Sequence, residues 1–172
     1  MASRREFFKK IASPLLEEEK EEKKVSLFLR PPYYNNIDIF DKECISCTTK
    51  ACASACDEQI IVIEAQGTPI LNLTKSGCTF CQECAVVCEK GVLQVNNERK
   101  INATFFINKE KCLAHNQSIC FSCKEPCLDD AILFKGMFEP IIDINRCTAC
   151  GFCLSRCPTN AIEYIINQEE AI

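Results

Sequence analysis

Sixteen cysteines stand in a chain of 172 residues. Their spacing is the strongest chemical signal in the sequence. They form four groups of four: Cys44, Cys47, Cys52 and Cys56; Cys78, Cys81, Cys84 and Cys88; Cys112, Cys120, Cys123 and Cys127; Cys147, Cys150, Cys153 and Cys157. The second and fourth groups follow the run C-x2-C-x2-C-x3-C of bacterial [4Fe–4S] proteins, and Pro158 adds the proline that closes it. Structural zinc sites use separated C-x2-C pairs. Here a third cysteine follows two residues later, so three thiolates share one tight loop. Such a loop can reach three irons of a cubane, while the fourth cysteine serves the other cluster of a pair. All sixteen cysteines are therefore candidate ligands, and the arithmetic expectation is four [4Fe–4S] clusters.

Two groups carry insertions. The first has two extra residues before Cys52, and the third has five before Cys120. Both keep four thiols. The inserted residues change the loop path and the hydrogen bonds to sulfur, which tune a cluster's potential. A [4Fe–4S] site with four thiolates is coordinatively closed. It exchanges electrons and offers no open position to a substrate. No phosphate loop, nucleotide fingerprint or nucleophile–base pair accompanies the cysteines. The single histidine, His115, reads as an ordinary polar residue of the third group's insertion, with an unusual ligand or a tuning hydrogen bond as the alternative. The chain reads as an electron carrier and not an enzyme.

The remaining composition narrows the class. The formal charge is −4, which disfavours binding that depends on neutralising phosphates, so no nucleic acid is expected. No apolar run reaches the roughly 18 residues of a membrane span. There is no Trp and there are only five Gly, and without its cysteines a chain this short has a thin core.

The elements that must position the thiols follow a repeat. The first cysteines of the groups, Cys44, Cys78, Cys112 and Cys147, recur every 34 or 35 residues. Each repeat holds a cysteine loop, a short turn of helix and short β-branched runs. Strands are predicted over 60–63, 69–73, 92–95, 104–107, 131–134 and 141–144. The predicted fold is α+β, with tandem bacterial-ferredoxin-like repeats around four [4Fe–4S] clusters, a small core and a charged N-terminal arm. Folding and cluster binding should be coupled. Repeats pair either sequentially or in nested order, and analogy with four-cluster electron-transfer subunits slightly favours nesting.

Residues 1–36 read as an arm and linker, and residues 37–172 as the iron–sulfur region. The arm has 8 basic and 6 acidic residues, the rest 12 and 18. Ser3-Arg4-Arg5-Glu6-Phe7-Phe8-Lys9 resembles a twin-arginine export motif. It runs into eight charged residues, Glu17 to Lys24, where an export signal needs an apolar segment. A cytoplasmic, unexported chain is expected, with thiols kept reduced and available to metal. The arm is a solvated helix or a partner-binding segment, and Arg30-Pro31-Pro32-Tyr33-Tyr34 reads as an extended linker.

Ser3-Arg4-Arg5 with Phe7, Arg30-Pro31-Pro32, Cys78-Thr79-Phe80-Cys81-Gln82-Glu83-Cys84-Ala85, the seven-residue gap after Cys112-Leu113-Ala114, and Cys147-Thr148-Ala149-Cys150-Gly151-Phe152-Cys153 together resemble the NapF family. These are ferredoxin-type accessory proteins of the periplasmic nitrate reductase system. The lengthened gap of the first group departs from that pattern. The resemblance implies a cytoplasmic protein that binds the precursor of the nitrate reductase catalytic subunit. It implies assistance with maturation before export, by electron supply or cluster assembly, with other redox subunits of the system as further partners. The alternative is an electron-transfer subunit of a membrane-associated respiratory oxidoreductase complex. An iron–sulfur sensor or scaffold and a zinc-stabilised interaction module are further readings of the same residues.

Overall fold

The computed structural model describes residues 28–167. The twin-arginine motif, the charged run and the helical reading of the arm lie outside them. Six short strands follow in chain order: β1 Ile61–Ile63, β2 Pro69–Leu71, β3 Ala103–Ile107, β4 Ile132–Lys135, β5 Glu139–Ile142 and β6 Ile162–Ile166. A π-helical turn, Phe40–Cys44, precedes the short helices α1 Ala51–Ser54, α2 Glu83–Val86 and α3 Phe152–Arg156.

All pairing is antiparallel and two-stranded: β1 with β2, β4 with β5, β3 with β6. The second half of the chain places the β4–β5 hairpin between two cysteine loops, and its outer strands β3 and β6 close on each other. Phe105 lies opposite Tyr164 in that outer pair, and their rings stack 5.4 Å apart. The first half repeats the layout. Its hairpin is β1–β2, with Ile61 opposite Leu71 as Ile132 is opposite Ile142. Its outer pair is residues 29–34 against 92–98. Gln94 donates its N–H to the Tyr33 carbonyl at 2.8 Å, and Tyr33 donates its own to Glu98 at 3.3 Å. This is a ferredoxin-like fold of mixed helix and strand.

Three expectations are corrected. Residues 92–95 form no strand: Val92 and Leu93 are buried, but their stretch meets the single segment around Tyr33 through turns. A strand does form at Ile162–Ile166, where apolar Ile162 faces inward against β3. The predicted linker is core: Leu29, Arg30 and Tyr33 are 4%, 7% and 1% exposed. Burying an arginine requires partners. Arg30 donates to the Thr68 hydroxyl at 2.6 Å and the Pro69 carbonyl at 3.0 Å, and it pairs with Glu64 and Asp41 at 3.9 and 3.7 Å. The folded unit thus begins before residue 37.

Backbone turns place the thiols. Gln59, Gly91, Asp130 and Asn160 each follow a group's last cysteine by three residues, and all have φ between 47° and 65°. The turn swings later N–H groups back onto the sulfur. Ala131 donates to Cys127 Sγ at 3.2 Å, Ala161 to Cys157 Sγ at 3.1 Å and Leu93 to Cys88 Sγ at 3.4 Å.

Candidate metal centres

The cysteines of one group do not all meet. Four recesses are each lined by three cysteines of one group and the last cysteine of another. Cys44, Cys47 and Cys52 share a recess with Cys88. Cys78, Cys81 and Cys84 share one with Cys56. Cys112, Cys120 and Cys123 meet Cys157, and Cys147, Cys150 and Cys153 meet Cys127. The first two groups exchange their last cysteines, and so do the last two. Pairing is therefore sequential, and the nested order favoured by analogy is not adopted. The physical reason is the hairpin, β1–β2 or β4–β5, which turns each chain segment back beside its immediate neighbour.

The four sites follow one another from neighbour to neighbour. Cys84 of the Cys78 site feels the charge of Cys52 in the Cys44 site. Cys78 donates its N–H to the carbonyl of Cys150 at 2.7 Å, across the junction of the two units. Cys153 of the Cys147 site feels Cys123 of the Cys112 site. The order is Cys44 site, Cys78 site, Cys147 site, Cys112 site.

Burial and crowding of like charges push half of the thiols upward. Burial first, then neighbouring thiolates, pushes Cys84 up to about 12. Burial also pushes Cys44, Cys78 and Cys123 up to about 11. Cys47 and Cys157 go the other way. The Lys50 N–H and the Thr49 hydroxyl hold the Cys47 thiol below its ordinary range. Burial raises Cys157, but the N–H groups of Ala161 and Thr159 and the Thr159 hydroxyl outweigh it. Spacing alone did not disclose these hydroxyls. Thr49 Oγ1 lies 3.6 Å from Cys47 Sγ, Ser122 Oγ 3.6 Å from Cys120 Sγ, and Thr159 Oγ1 3.8 Å from Cys157 Sγ. Each follows its cysteine by two residues, a local signal that could have found them. His115 is not among the residues lining these recesses.

The donor set can be tested against the metal. All sixteen cysteines are free of disulfides. A single zinc draws its sulfurs to about 2.3 Å, which brings four of them within about 4 Å of one another. Among the described residues, no three or more His, Cys, Asp or Glu side chains gather around a point that closely. Each quartet instead rims a recess, its four sulfurs spaced more widely than one ion would draw them. Four soft thiolates set around a recess in this way fit an iron–sulfur cluster.

The comparisons with known proteins agree in kind. Residues 140–163, which include Cys147, Cys150, Cys153 and Cys157, match the family described as 4Fe-4S binding domain. The chain is 32% identical over 149 residues to the ferredoxin-type protein NapF of Escherichia coli, covering 83% of this chain and 89% of that one. It is 29% identical to NapF of Haemophilus influenzae, covering 92% and 91%. The ferredoxin-type protein NapG of Escherichia coli is 26% identical over 75% of this chain and 65% of its own.

Proposed function

Given that the chain belongs to the NapF family of ferredoxin-type proteins, we propose that it is a cytoplasmic carrier of four [4Fe–4S] clusters. It binds the precursor of the periplasmic nitrate reductase catalytic subunit and assists its maturation before export. An iron–sulfur electron-transfer role rests on the family and on the 4Fe-4S binding domain. The single observation that supports the finer reading is the succession of four cysteine quartets, continuous across the junction at Cys78 and Cys150.

The residues divide the labour simply. Cys44, Cys47, Cys52 and Cys88 hold one cluster; Cys56, Cys78, Cys81 and Cys84 a second; Cys127, Cys147, Cys150 and Cys153 a third; Cys112, Cys120, Cys123 and Cys157 the fourth. A bound [4Fe–4S] cluster supplies one-electron redox chemistry. Apolar walls, such as Ile60, Leu71 and Phe80 at the Cys78 site, shield the buried Cys84 sulfur from water, while Cys81 stays exposed. Thiolate-only ligation leaves no position for substrate, in keeping with a carrier and with the absence of any other catalytic grouping in the sequence. Among the described residues no helix is long and apolar enough to cross a membrane.

The test is an anaerobic pull-down of the tagged protein from cells respiring nitrate, with captured proteins identified by mass. Recovery of the nitrate reductase catalytic subunit with its signal peptide still attached is the expected result. Recovery of membrane redox subunits without that precursor would favour a respiratory electron-transfer subunit instead.

A further inference from the structure

The four recesses differ in the groups that surround their sulfurs. Backbone N–H groups serve cysteines at every quartet with little distinction; Lys50 serves Cys47, Phe80 serves Cys78, Ala149 serves Cys147 and Ala161 serves Cys157. Hydroxyls and carboxylates do not spread evenly. The Cys112 site has two hydroxyls beside its sulfurs, Thr159 at 3.8 Å from Cys157 Sγ and Ser122, which accepts from Cys120 Sγ at 3.6 Å while that thiol keeps its proton, and no acidic or basic residue lines its recess. Asp57 and Glu58 line the Cys78 recess and Asp129 lines the Cys147 recess. At the Cys44 recess Lys50 and Lys90 stand with Glu89, and the Thr49 hydroxyl also donates to Glu89 Oε2 at 3.2 Å, so its one proton is shared.

A sulfur bonded to iron carries no proton, so a hydroxyl beside it can only donate. Such a hydrogen bond offsets the negative charge that an added electron brings and raises the potential. A nearby carboxylate opposes the same electron and lowers it. The contrast is sharpest inside the second unit. Asp129 repels charge on Cys147 and Cys150, and its nearest counter-charge, Arg99 at 4.0 Å, is more than half exposed and screened by water. Neighbouring sites are thus pushed apart in opposite directions.

We propose that Ser122 and Thr159 raise the reduction potential of the Cys112 site above that of its neighbour in the second unit, so that an electron entering that unit settles at its outer end. Asp129 holds the adjacent Cys147 site below it. The inference rests on the four-cluster reading above. It adds which end retains charge and which side chains decide it.

The experiment is an anaerobic dithionite titration of the full-length, cluster-loaded protein followed by electron paramagnetic resonance, with iron and sulfide measured on the same samples. Each step takes one electron from the titrant into one site and breaks no bond. In Thr159→Val and in Ser122→Ala, the same single step moves to lower potential and the others stay, with iron and sulfide unchanged. Thr159→Ser keeps the hydroxyl and leaves that step where it was. Asp129→Asn, which still accepts from Thr148, raises a different step. If no step moves in either hydroxyl variant, or if the step that Asp129→Asn raises already lies above the hydroxyl-sensitive one, the proposal is overturned. A serine variant that shifts as far as valine overturns it too. Fewer than four clusters in the unaltered protein overturns the reading beneath it, and that result is read from iron and sulfide before any potential is measured.

Discussion

Gly77 leaves no room for a side chain beside Phe152. A Cβ on Gly77 would lie 2.5 Å from the Phe152 backbone nitrogen and 2.7 Å from the Cys150 carbonyl oxygen. Gly151 answers from the other unit: its φ is +90°, and a Cβ there would come within 2.7 Å of Leu73 Cδ1. The two units therefore touch backbone to backbone, next to cysteines of the two central sites.

The first prediction concerns this junction. Gly77→Ala pushes one backbone against another, and neither can rotate away. It should cost at least about 1–3 kcal/mol, the range for overpacking a tight contact. Gly136→Ala is the control. Gly136 is also left-handed, with φ +66°, but a Cβ there meets nothing within 4 Å. That substitution carries only backbone strain, about 1 kcal/mol. Denaturant unfolding of the cluster-loaded proteins compares them, and equal losses would mean that the units are not packed this closely.

The exchange of last cysteines makes a second prediction, about additivity. Cys44→Ser and Cys88→Ser strike one site although 44 residues separate them. Each single variant should lose one cluster's iron, and the double variant should lose no more than either. Cys44→Ser with Cys56→Ser, both from one sequence group, should lose two clusters. Sites that share partners couple, and independent sites add. Iron and sulfide counts on the purified variants decide it. If the Cys44–Cys56 pair behaved as one site, the exchange would be wrong.

Alkaline pH provides a third. The Tyr33 hydroxyl donates to the Phe80 carbonyl at 2.9 Å and is buried. Burial, helped by the Cys78 and Cys84 charges and opposed by Arg99, pushes it from 10.0 up to about 12. The folded chain keeps a proton that the unfolded chain releases. Its contribution is complete below pH 10 and falls away as pH rises towards 12. Tyr33→Phe should flatten that alkaline decline while lowering stability near neutrality by about 1 kcal/mol, since it leaves the Phe80 carbonyl unpaired. Unfolding free energies at several pH values, with tyrosinate absorbance as the marker, test both halves.

Arg30 leads to a fourth. Its guanidinium lies over the Phe40 ring at 5.1 Å and between Glu64 and Asp41. Arg30→Ala strands a mostly buried Glu64 carboxylate, and losses of about 3–5 kcal/mol follow when one partner of a buried pair is removed. Arg30→Ala with Glu64→Gln should recover part of the loss in the same unfolding assay. A double variant no better than the single one would show that Glu64 does not depend on Arg30.

Much of this architecture was legible in the cysteines. Their spacing pointed to three thiolates per loop and a fourth from elsewhere, the pattern seen in the recesses. It could not say which loop supplies the fourth. That depends on where the hairpins turn, and Gly67 and Gly136 mark turns without stating what then packs together. Arg30-Pro31-Pro32 read as linker because prolines favour extended chain. A segment beside 92–98 packs as core just as well, and only the buried contacts of Tyr33 separate the two readings. Ile162–Ile166 escaped attention because its alternation is weak and it follows the last cysteine group. The left-handed turns were partly visible, since Gly91, Asp130 and Asn160 share one offset. Gln59 hid the pattern by occupying the same position with a residue that rarely adopts that conformation.

Removal of iron is the last prediction, and it follows from what the cores contain. The buried side chains of each unit pack around the recesses as well as against one another: Phe105, Ala131, Ile132 and Ile142 line the Cys147 recess, and Ile60, Ile61, Leu71 and Phe80 line the Cys78 recess. The sheets have only two strands each, and a two-stranded sheet is marginal without a packed face. An apolar wall facing open space loses its contacts outright, and the four thiols that replace a cluster offer no bonds across the gap. Anaerobic chelation should therefore unfold both units, because metal-binding free energy is folding free energy in such domains. Circular dichroism should lose its strand signal as iron leaves, and supplying iron, sulfide and thiol should restore it. An iron-free chain that kept its strands, with Tyr33 still shielded from titration, would show that side-chain packing alone holds this fold and would sink the coupling.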